Sequence, residues 1–408
     1  MNLNREAGFC CRRTCFETVW LRTTNKDLQE TMIQYYTAVI VFTAFIMVML
    51  AVLAAQNNTL SKQMKTGVIT SAAMIIVAAL CEYCGVILNG DPSASRFLHM
   101  FAKFLELSLA PVIPFVFGNA IQPIKSVCRM VIPLAVHAVL EFLSMWFGII
   151  FYVDAINVYH HCTFYPLYNI TYFMGIAFLI FQVVRFTRHY QNQNKLSMTL
   201  IMSFLVLGIV WPVLDSATKV VWLAVAVATV MFYIYYCDIL QRIDTLTQLL
   251  NRRSYDTRMK LANKRLVILM ADVDSFKTVN DTFGHQYGDV CLAAVGAALK
   301  EAYGKYGLCY RIGGDEFAVI LDRQLDAVEQ LNTAFFRILE EKRVQDPNLP
   351  YVSVGYAAFR PADMTAAEAT EKADRMMYEF KERAKAERAG RWAHIPARKK
   401  KEESGPAF

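Results

Sequence analysis

The sequence predicts a chain in two parts, a bundle of membrane-crossing α-helices followed by a soluble domain of strands and helices. Three observations carry this. Hydrophobic residues make up 55% of the 408 positions and charged residues only 19%, where a soluble protein carries about 25% charged residues. The apolar residues are concentrated in a series of runs between Met32 and Cys237. From Arg242 onward the sequence has the charge and punctuation of an ordinary soluble domain. The divisions read from this are an N-terminal arm over 1–33, a transmembrane region over 34–238, a soluble domain over 239–388 and a basic tail over 389–408.

Crossing a bilayer takes about 20 apolar residues, and seven runs qualify. They are Tyr35 to Ala55, Gly67 to Leu88, Phe97 to Ile121, Met130 to Val153, Leu167 to Phe186, Leu196 to Leu214, and Val220 to Tyr236. The polar stretch Asp154 to Cys162 separates the fourth from the fifth. Pro111, Pro114, Pro133 and Pro212 fall inside spans and are expected to kink them, which membrane helices tolerate when neighbours satisfy the freed carbonyls. Basic residues mark alternate loops: Lys62 and Lys65, then Lys125 and Arg129, then Arg185, Arg188 and Lys195. The positive-inside rule makes these loops cytoplasmic, so the soluble domain lies inside and the N-terminus outside. The segment before Met32 has mixed charge and no signal-peptide pattern, and reads as a loose arm.

The net charge of +7 does not point to nucleic acid, because the excess flanks membrane spans and fills the tail Arg398-Lys399-Lys400-Lys401, where it faces lipid or water. The cysteines are scattered. Cys81 and Cys84 form a Cys-x-x-Cys inside a predicted span without further metal ligands at suitable spacing.

Five ionisable residues fall within the spans: Glu82, Lys103, Glu106, His137 and Glu141. Charge in hydrocarbon is costly and is retained where it pairs or faces a polar cavity. Lys103 and Glu106 are three apart on a helix and His137 and Glu141 four apart, so each pair shares a face. They read either as structural pairs or as a pocket sensing an unidentified ligand, a proton or a physical input.

In the soluble half, the apolar run Arg265 to Ala271 is a buried central strand ending in Asp272-Val273-Asp274-Ser275-Phe276-Lys277. Acids just past a core strand are rigidly placed to hold a divalent cation, although an Asp-x-Asp alone is as readily a cap or turn. Leu308 to Ile312 and Phe317 to Leu321 alternate around Gly313-Gly314-Asp315-Glu316, a hairpin pattern. The two glycines suit a turn with positive backbone angles.

These residues resemble the GGDEF-domain diguanylate cyclases in five blocks between Asp244 and about Lys385. The blocks are Asp244 to Arg253, Asp272 to Asp289, Gly313 to Phe317, Ser353-Val354-Gly355, and Ala373-Asp374 through Tyr378 to Lys381. The resemblance implies an α+β domain with a mostly antiparallel sheet, similar to the palm of nucleotidyl cyclases and polymerases, in the cytoplasmic membrane of a bacterium. It implies condensation of two GTP into cyclic di-GMP by a homodimer, each subunit holding one GTP, with Mg²⁺ or Mn²⁺ as cofactor. Metal is implied on Asp272, Asp315 and the Val273 carbonyl. Asn280 and Asp289 match the guanine-recognising positions, and a carboxylate there accepts from donors that adenine lacks. Lys277, Lys381 and the amides near Ser275 and Phe276 match the phosphate cradle, with Lys385 beside them. Glu316 is implied to polarise or deprotonate the attacking hydroxyl, with a second metal ligand as its alternative role. A nucleotide-binding module of weak catalytic power is the alternative reading of the whole domain.

Two departures from the family pattern stand out. Ala384 and Lys385 replace a Gly-Arg pair, and lysine lacks arginine's planar fork. The family's Arg-x-x-Asp product-inhibition motif falls on Gly304-Lys305-Tyr306-Gly307, so feedback through that site is not expected. The linker between the last apolar run and Asp244 is about ten residues, too short for a separate coiled coil.

Overall fold

The computed structural model describes residues 7–124, 128–190, 195–214, 219–322 and 326–393. It divides into two compact units, Met1–Cys237 and Asp238–Phe408.

The first unit is helical. Its helices are α1 (Ala7–Gln56), α2 (Lys62–Leu88), α3 (Arg96–Ile121), α4 (Cys128–Phe147), α5 (Tyr165–His189), α6 (Lys195–Leu214) and α7 (Val221–Gln241). Among the described residues six helical stretches are long and apolar enough to cross a membrane, and the sixth expected span appears as the shorter apolar stretch Leu196–Gly208. Many of their apolar side chains face outward, among them Phe42, Phe45, Ile132, Phe173 and Phe181, as a lipid-facing surface requires. Residues 7–33, expected as an arm, form the leading part of α1. The tail beyond Ala393, Lys125 and the side chain of Pro212 lie outside the described residues.

The prolines have a structural consequence in α3, which contains Pro111 and Pro114. Proline has no N–H, so the carbonyl four residues earlier loses its helical donor. α3 packs against α2 and α5. Gly175 of α5 lies close to the Pro111 carbonyl, where a side chain would collide.

One boundary departs from expectation. The fourth span was expected to continue to Val153, but α4 ends at Phe147 and Gly148 follows with φ of +59°. The chain then forms a hairpin, β1 (Phe151–Val153) antiparallel to β2 (Tyr159–His161). The expected polar loop from Asp154 to Cys162 is therefore largely its turn and second strand. Asp154 Oδ1 accepts from the amides of Ile156 (3.1 Å) and Val158 (2.9 Å). Asn157, buried and left-handed at φ 64°, donates to the Asp91 carbonyl at 3.0 Å. Arg96 Nε donates to the Val153 carbonyl at 2.8 Å. These bonds clamp the hairpin onto the ends of α2 and α3.

The second unit is built on a five-stranded sheet in the order β3-β5-β6-β4-β7. Its elements are β3 (Leu250–Asn251), α8 (Arg252–Lys260), β4 (Leu266–Val273), α9 (Phe276–Phe283), α10 (His285–Tyr303), β5 (Gly307–Arg311), β6 (Glu316–Leu321), α11 (Asp326–Gln345), β7 (Val352–Phe359) and α12 (Ala366–Ala393). All pairings are antiparallel except β3 with β5. Alternation along β4 builds two cores. Val267, Leu269, Ala271 and Val273 pack with Val295 and Leu299 of α10 and with Phe335 and Leu339 of α11. Leu266, Ile268 and Met270 face Tyr255 and Met259 of α8 and Ala369, Ala373 and Met377 of α12. Each large aliphatic side chain buried this way contributes about 1.5–3 kcal/mol. Covered on both faces, β4 holds its carboxyl end rigidly.

Candidate functional site

The catalytic constellation starts where β4 leaves the core. Asp272 is only partly buried and pairs across β6 with Glu316 and across β7 with Ser353. One residue on, the Val273 amide donates to the Asp315 carbonyl at 3.1 Å. That bond lays the Gly313–Asp315 segment beside the end of β4, bringing the expected metal ligands Asp272, Val273 and Asp315 onto adjacent strands.

The turn is not shaped as expected. Neither Gly313 nor Gly314 has a φ in the left-handed region. The requirement at Gly313 is space, because a Cβ there would run into the Glu316 carboxylate, whereas Gly314 faces open space. Glu316 itself is exposed at the start of β6, and its carbonyl accepts from Ile312 (2.9 Å) and Gly313 (3.3 Å).

Two residues without an assigned role in the sequence reading fix this turn. Arg311, at the end of β5, donates through Nη2 and Nε to the Gly314 carbonyl at 2.7 and 3.2 Å. Its Nη1 meets Asp244 Oδ1 at 3.1 Å. Asp244 also accepts from the amide (2.8 Å) and hydroxyl (2.7 Å) of Thr247. Partial burial opposes its ionisation, but the Thr247 bonds and the Arg311 guanidinium outweigh burial and hold its carboxyl below the usual range. The signal for Asp244 was the Asp-x-x-Thr spacing of an Asx-type turn, whereas its pairing with Arg311 spans 67 positions.

The second acid of the Asp272-Val273-Asp274 triplet is structural. Asp274 is 4% exposed, accepts from the Ser353 hydroxyl at 2.6 Å and donates its amide to the Tyr351 carbonyl at 2.8 Å. Asp272 differs. Burial raises its carboxyl above the ordinary range, and the charges of Asp315 and Asp274 push the same way, against the contacting ammonium of Lys381. Lys381 is partly desolvated, yet Asp272, Asp274 and Asp315 together raise its ammonium.

Among the described residues no group of three or more His, Cys, Asp or Glu side chains is placed to hold a metal. The site offers two carboxylates and one backbone carbonyl. These are hard oxygens around crowded negative charge, and the set fits a magnesium-like ion that takes substrate phosphates for the rest of its shell.

Beside the carboxylates begins α9. Ser275 occupies its N-cap position with φ 55° and ψ 32°, and its side chain makes no cap bond. The leading amides of a helix have no intrahelical acceptor and favour anions, and Lys277 is exposed on that turn. A turn later, Asn280 Oδ1 is buried without a hydrogen-bond partner. It lies against Gly288 of α10, where a Cβ would overlap it. Gly284, with φ +84°, separates the two helices, and Asp289 follows Gly288, exposed on α10. Ser275, Phe276, Lys277, Asn280 and Asp289 thus share the α9–α10 corner. Lys381 reaches the carboxylates. Lys385 does not: it is exposed and paired with Glu382 at 3.2 Å.

In the membrane unit the five ionisable residues also converge. Lys103 pairs with Glu106 at 2.8 Å, and His137 Nε2 lies 3.5 Å from Glu141 Oε1. The Tyr36 hydroxyl donates to Glu82 at 2.6 Å. Glu106 lies within electrostatic reach of Glu82 and Glu141.

A family model described as "Diguanylate cyclase, GGDEF domain" matches residues 241–387. A "Probable diguanylate cyclase DgcC" from Escherichia coli K12 is 33% identical over 160 residues, 36% of this chain and 41% of that protein. An uncharacterised 19.3 kDa protein of Streptomyces ambofaciens is 35% identical over 149 residues, 35% of this chain and 80% of that protein. The crystal structure of the GGDEF domain of DgcB from Caulobacter crescentus in complex with c-di-GMP is 26% identical, covering 36% of this chain and 91% of that one, with a TM-score of 0.29. The chain thus spans less than half the length of the E. coli relative. Through residues 241–387 the chain belongs to the GGDEF-domain diguanylate cyclase family.

Proposed function

We propose that this chain is a membrane-bound diguanylate cyclase. It condenses two GTP into cyclic di-GMP and releases pyrophosphate, with each subunit of a homodimer supplying one GTP. The observation that carries this is the α9 corner. Asp272 and Asp315 lie on neighbouring strand ends beside the amino end of α9, and Asn280, with its unmet acceptor, lies one turn further along. Phosphates belong at the first place and a base at the second.

A divalent ion bound there supplies charge neutralisation at the α-phosphate and polarises the attacking hydroxyl. The chain's own groups do the rest. Asp272, Asp315 and the Val273 carbonyl hold the ion. The α9 amides, Lys277 and Lys381 hold phosphate oxygens. Asn280 and Asp289 recognise guanine, whose N1 and N2 donors match acceptor oxygens. Glu316 takes the proton of the 3′-hydroxyl as its oxygen bonds to the α-phosphorus of the facing GTP and the bond to the β-phosphate oxygen breaks. Two such transfers close the ring.

The membrane unit is the input region. In this reading the C-terminal domain is cytoplasmic and rearrangement of the membrane dimer sets how often two sites face each other. A flexible Gly-Ser insertion near Asp238 is expected to uncouple activity from input. Substrate choice tests the site. Full chain given equal GTP and ATP should yield cyclic di-GMP alone, and mixed purine products would sink the roles given to Asn280 and Asp289.

A further inference from the structure

Charge buried among membrane helices is costly unless it is paired, so each polar atom of the intramembrane cluster needs an identified partner. Tyr36 serves Glu82, and Lys103 serves Glu106. His137 Nε2 approaches the Leu107 carbonyl at 3.4 Å. That carbonyl lacks its helical donor because Pro111 stands four residues on. A carbonyl only accepts, so Nε2 carries the proton and Nδ1 of the neutral ring is an acceptor.

What remains is one-sided. Both oxygens of Glu141 and Nδ1 of His137 are buried without a hydrogen-bond partner. Glu141 and His137 side chains are 0% and 1% exposed. His99 Nε2 is a further buried orphan. Asn157 donates its amide nitrogen to Asp91, so its Oδ1 accepts from His99 Nδ1 at 3.0 Å, and His99 Nε2 is also an acceptor. Every unmet atom of the cluster accepts and none donates. The formal charges lean the same way, three carboxylates against the single ammonium of Lys103.

The complement is a group with several donors, no acceptor and a positive charge, which describes –NH₃⁺. The cluster already holds one. The Lys103 ammonium sits on Glu106 and 5.1 Å from the centre of the Tyr159 ring, the aromatic contact a cation favours. Gly85 leaves the room its stem needs, because a Cβ there would collide with Lys103 Cε. Lys103 and Glu106 are 14% and 15% exposed, so the cluster runs from a reachable pair to the sealed acceptors below it. Tyr165 and Tyr168, with ring centres 5.4 Å apart, lie beside it, and Tyr168 reaches His137 at 6.0 Å.

We propose that Glu141, His137 and Glu106 form a binding site for a small primary ammonium compound, entering beneath the β1–β2 hairpin and replacing the absent donors. This does not rest on the cyclase reading, and binding is read without GTP.

The test uses the full chain in bilayer nanodiscs and radiolabelled methylammonium. Saturable binding is expected, displaced by ethylammonium but not by tetramethylammonium, which has the charge without N–H donors, nor by sodium. Glu141→Gln should weaken binding at least about tenfold, a loss of about 1.4 kcal/mol. Lys103→Gln should tighten it, because the resident ammonium no longer competes for Glu106, a direction that a purely structural role would not give. No saturable binding to the unsubstituted protein would overturn the proposal, as would equal competition by tetramethylammonium or unchanged affinity in Glu141→Gln. If Glu141→Gln fails to insert, the unsubstituted isotherm and the Lys103→Gln comparison decide.

Discussion

Replacing Arg311 separates the shape of the Gly313–Phe317 turn from its chemistry. Arg311 touches neither strand end bearing the expected metal ligands. It holds the Gly314 carbonyl at 2.7 Å and Asp244 at 3.1 Å, with side-chain exposures of 15% for Arg311 and 23% for Asp244. Two charge-assisted interactions at the lower end of their range, about 1.5 kcal/mol each, put the stability cost of Arg311→Met near 3 kcal/mol. A domain stable by about 5–15 kcal/mol stays folded after that loss. Catalysis should suffer more, because a shift of about 1 Å in a reacting group costs on the order of 100-fold. Arg311→Lys keeps the charge but cannot span both partners, so it should retain most of the stability and little of the activity. The assays are urea unfolding of residues 238–408, which form their own compact unit, and cyclic di-GMP formation by the full chain. Asp244 adds a pH signature. Its carboxyl is held below the usual range, so its contribution is present above that range and is lost as pH falls through its folded value. The stability gap between the unsubstituted domain and Arg311→Met should therefore narrow on acidification. A gap that widens, or an Arg311→Lys enzyme of full activity, would refute the reasoning.

Two further substitutions test space rather than charge. Gly288→Ala puts a Cβ onto Asn280 Oδ1 and should raise KM for GTP about tenfold, the equivalent of one weakened hydrogen bond of about 1.4 kcal/mol, with the unfolding midpoint little changed. Unchanged KM would remove Asn280 from the guanine site. At the absent feedback motif, a Cβ on Gly307 would collide with the Ile320 backbone carbonyl of β6. Gly307→Asp combined with Gly304→Arg should therefore cost about 2 kcal/mol or more through overpacking, measured by urea unfolding, without creating inhibition by added cyclic di-GMP.

Much of the soluble domain was legible because short-range patterns suffice for it. Period-two alternation located β4, β5 and β6 to within a residue or two, and the antiparallel hairpin follows from the Gly-Gly punctuation. The role of those glycines was misread: sequence suggests backbone angle, while the structure requires room for the Glu316 side chain. The run Ile149 to Val153 was read as the end of a span because a short apolar stretch does not by itself distinguish helix from strand. Gly148 was the available signal. Pairs such as Arg311 with Asp244, or Arg96 with Val153, join distant positions and leave no local pattern. In the membrane unit the spacing revealed Lys103–Glu106 and His137–Glu141. Their convergence with Glu82 under the hairpin is a tertiary fact, as is the unmet acceptor surplus. Lys385 shows the opposite limit, since a position matching the phosphate cradle is engaged with Glu382 instead.

The central claim is that Asp272 and Asp315 support GTP condensation, and the most direct measurement is product formation by full chain in nanodiscs given GTP and Mg²⁺, beside Asp315→Ala. The account predicts cyclic di-GMP and pyrophosphate from the unsubstituted protein and a loss of at least about 1,000-fold, roughly 4 kcal/mol, in the variant. No cyclic dinucleotide from the unsubstituted protein, or equal product from Asp315→Ala, would contradict it.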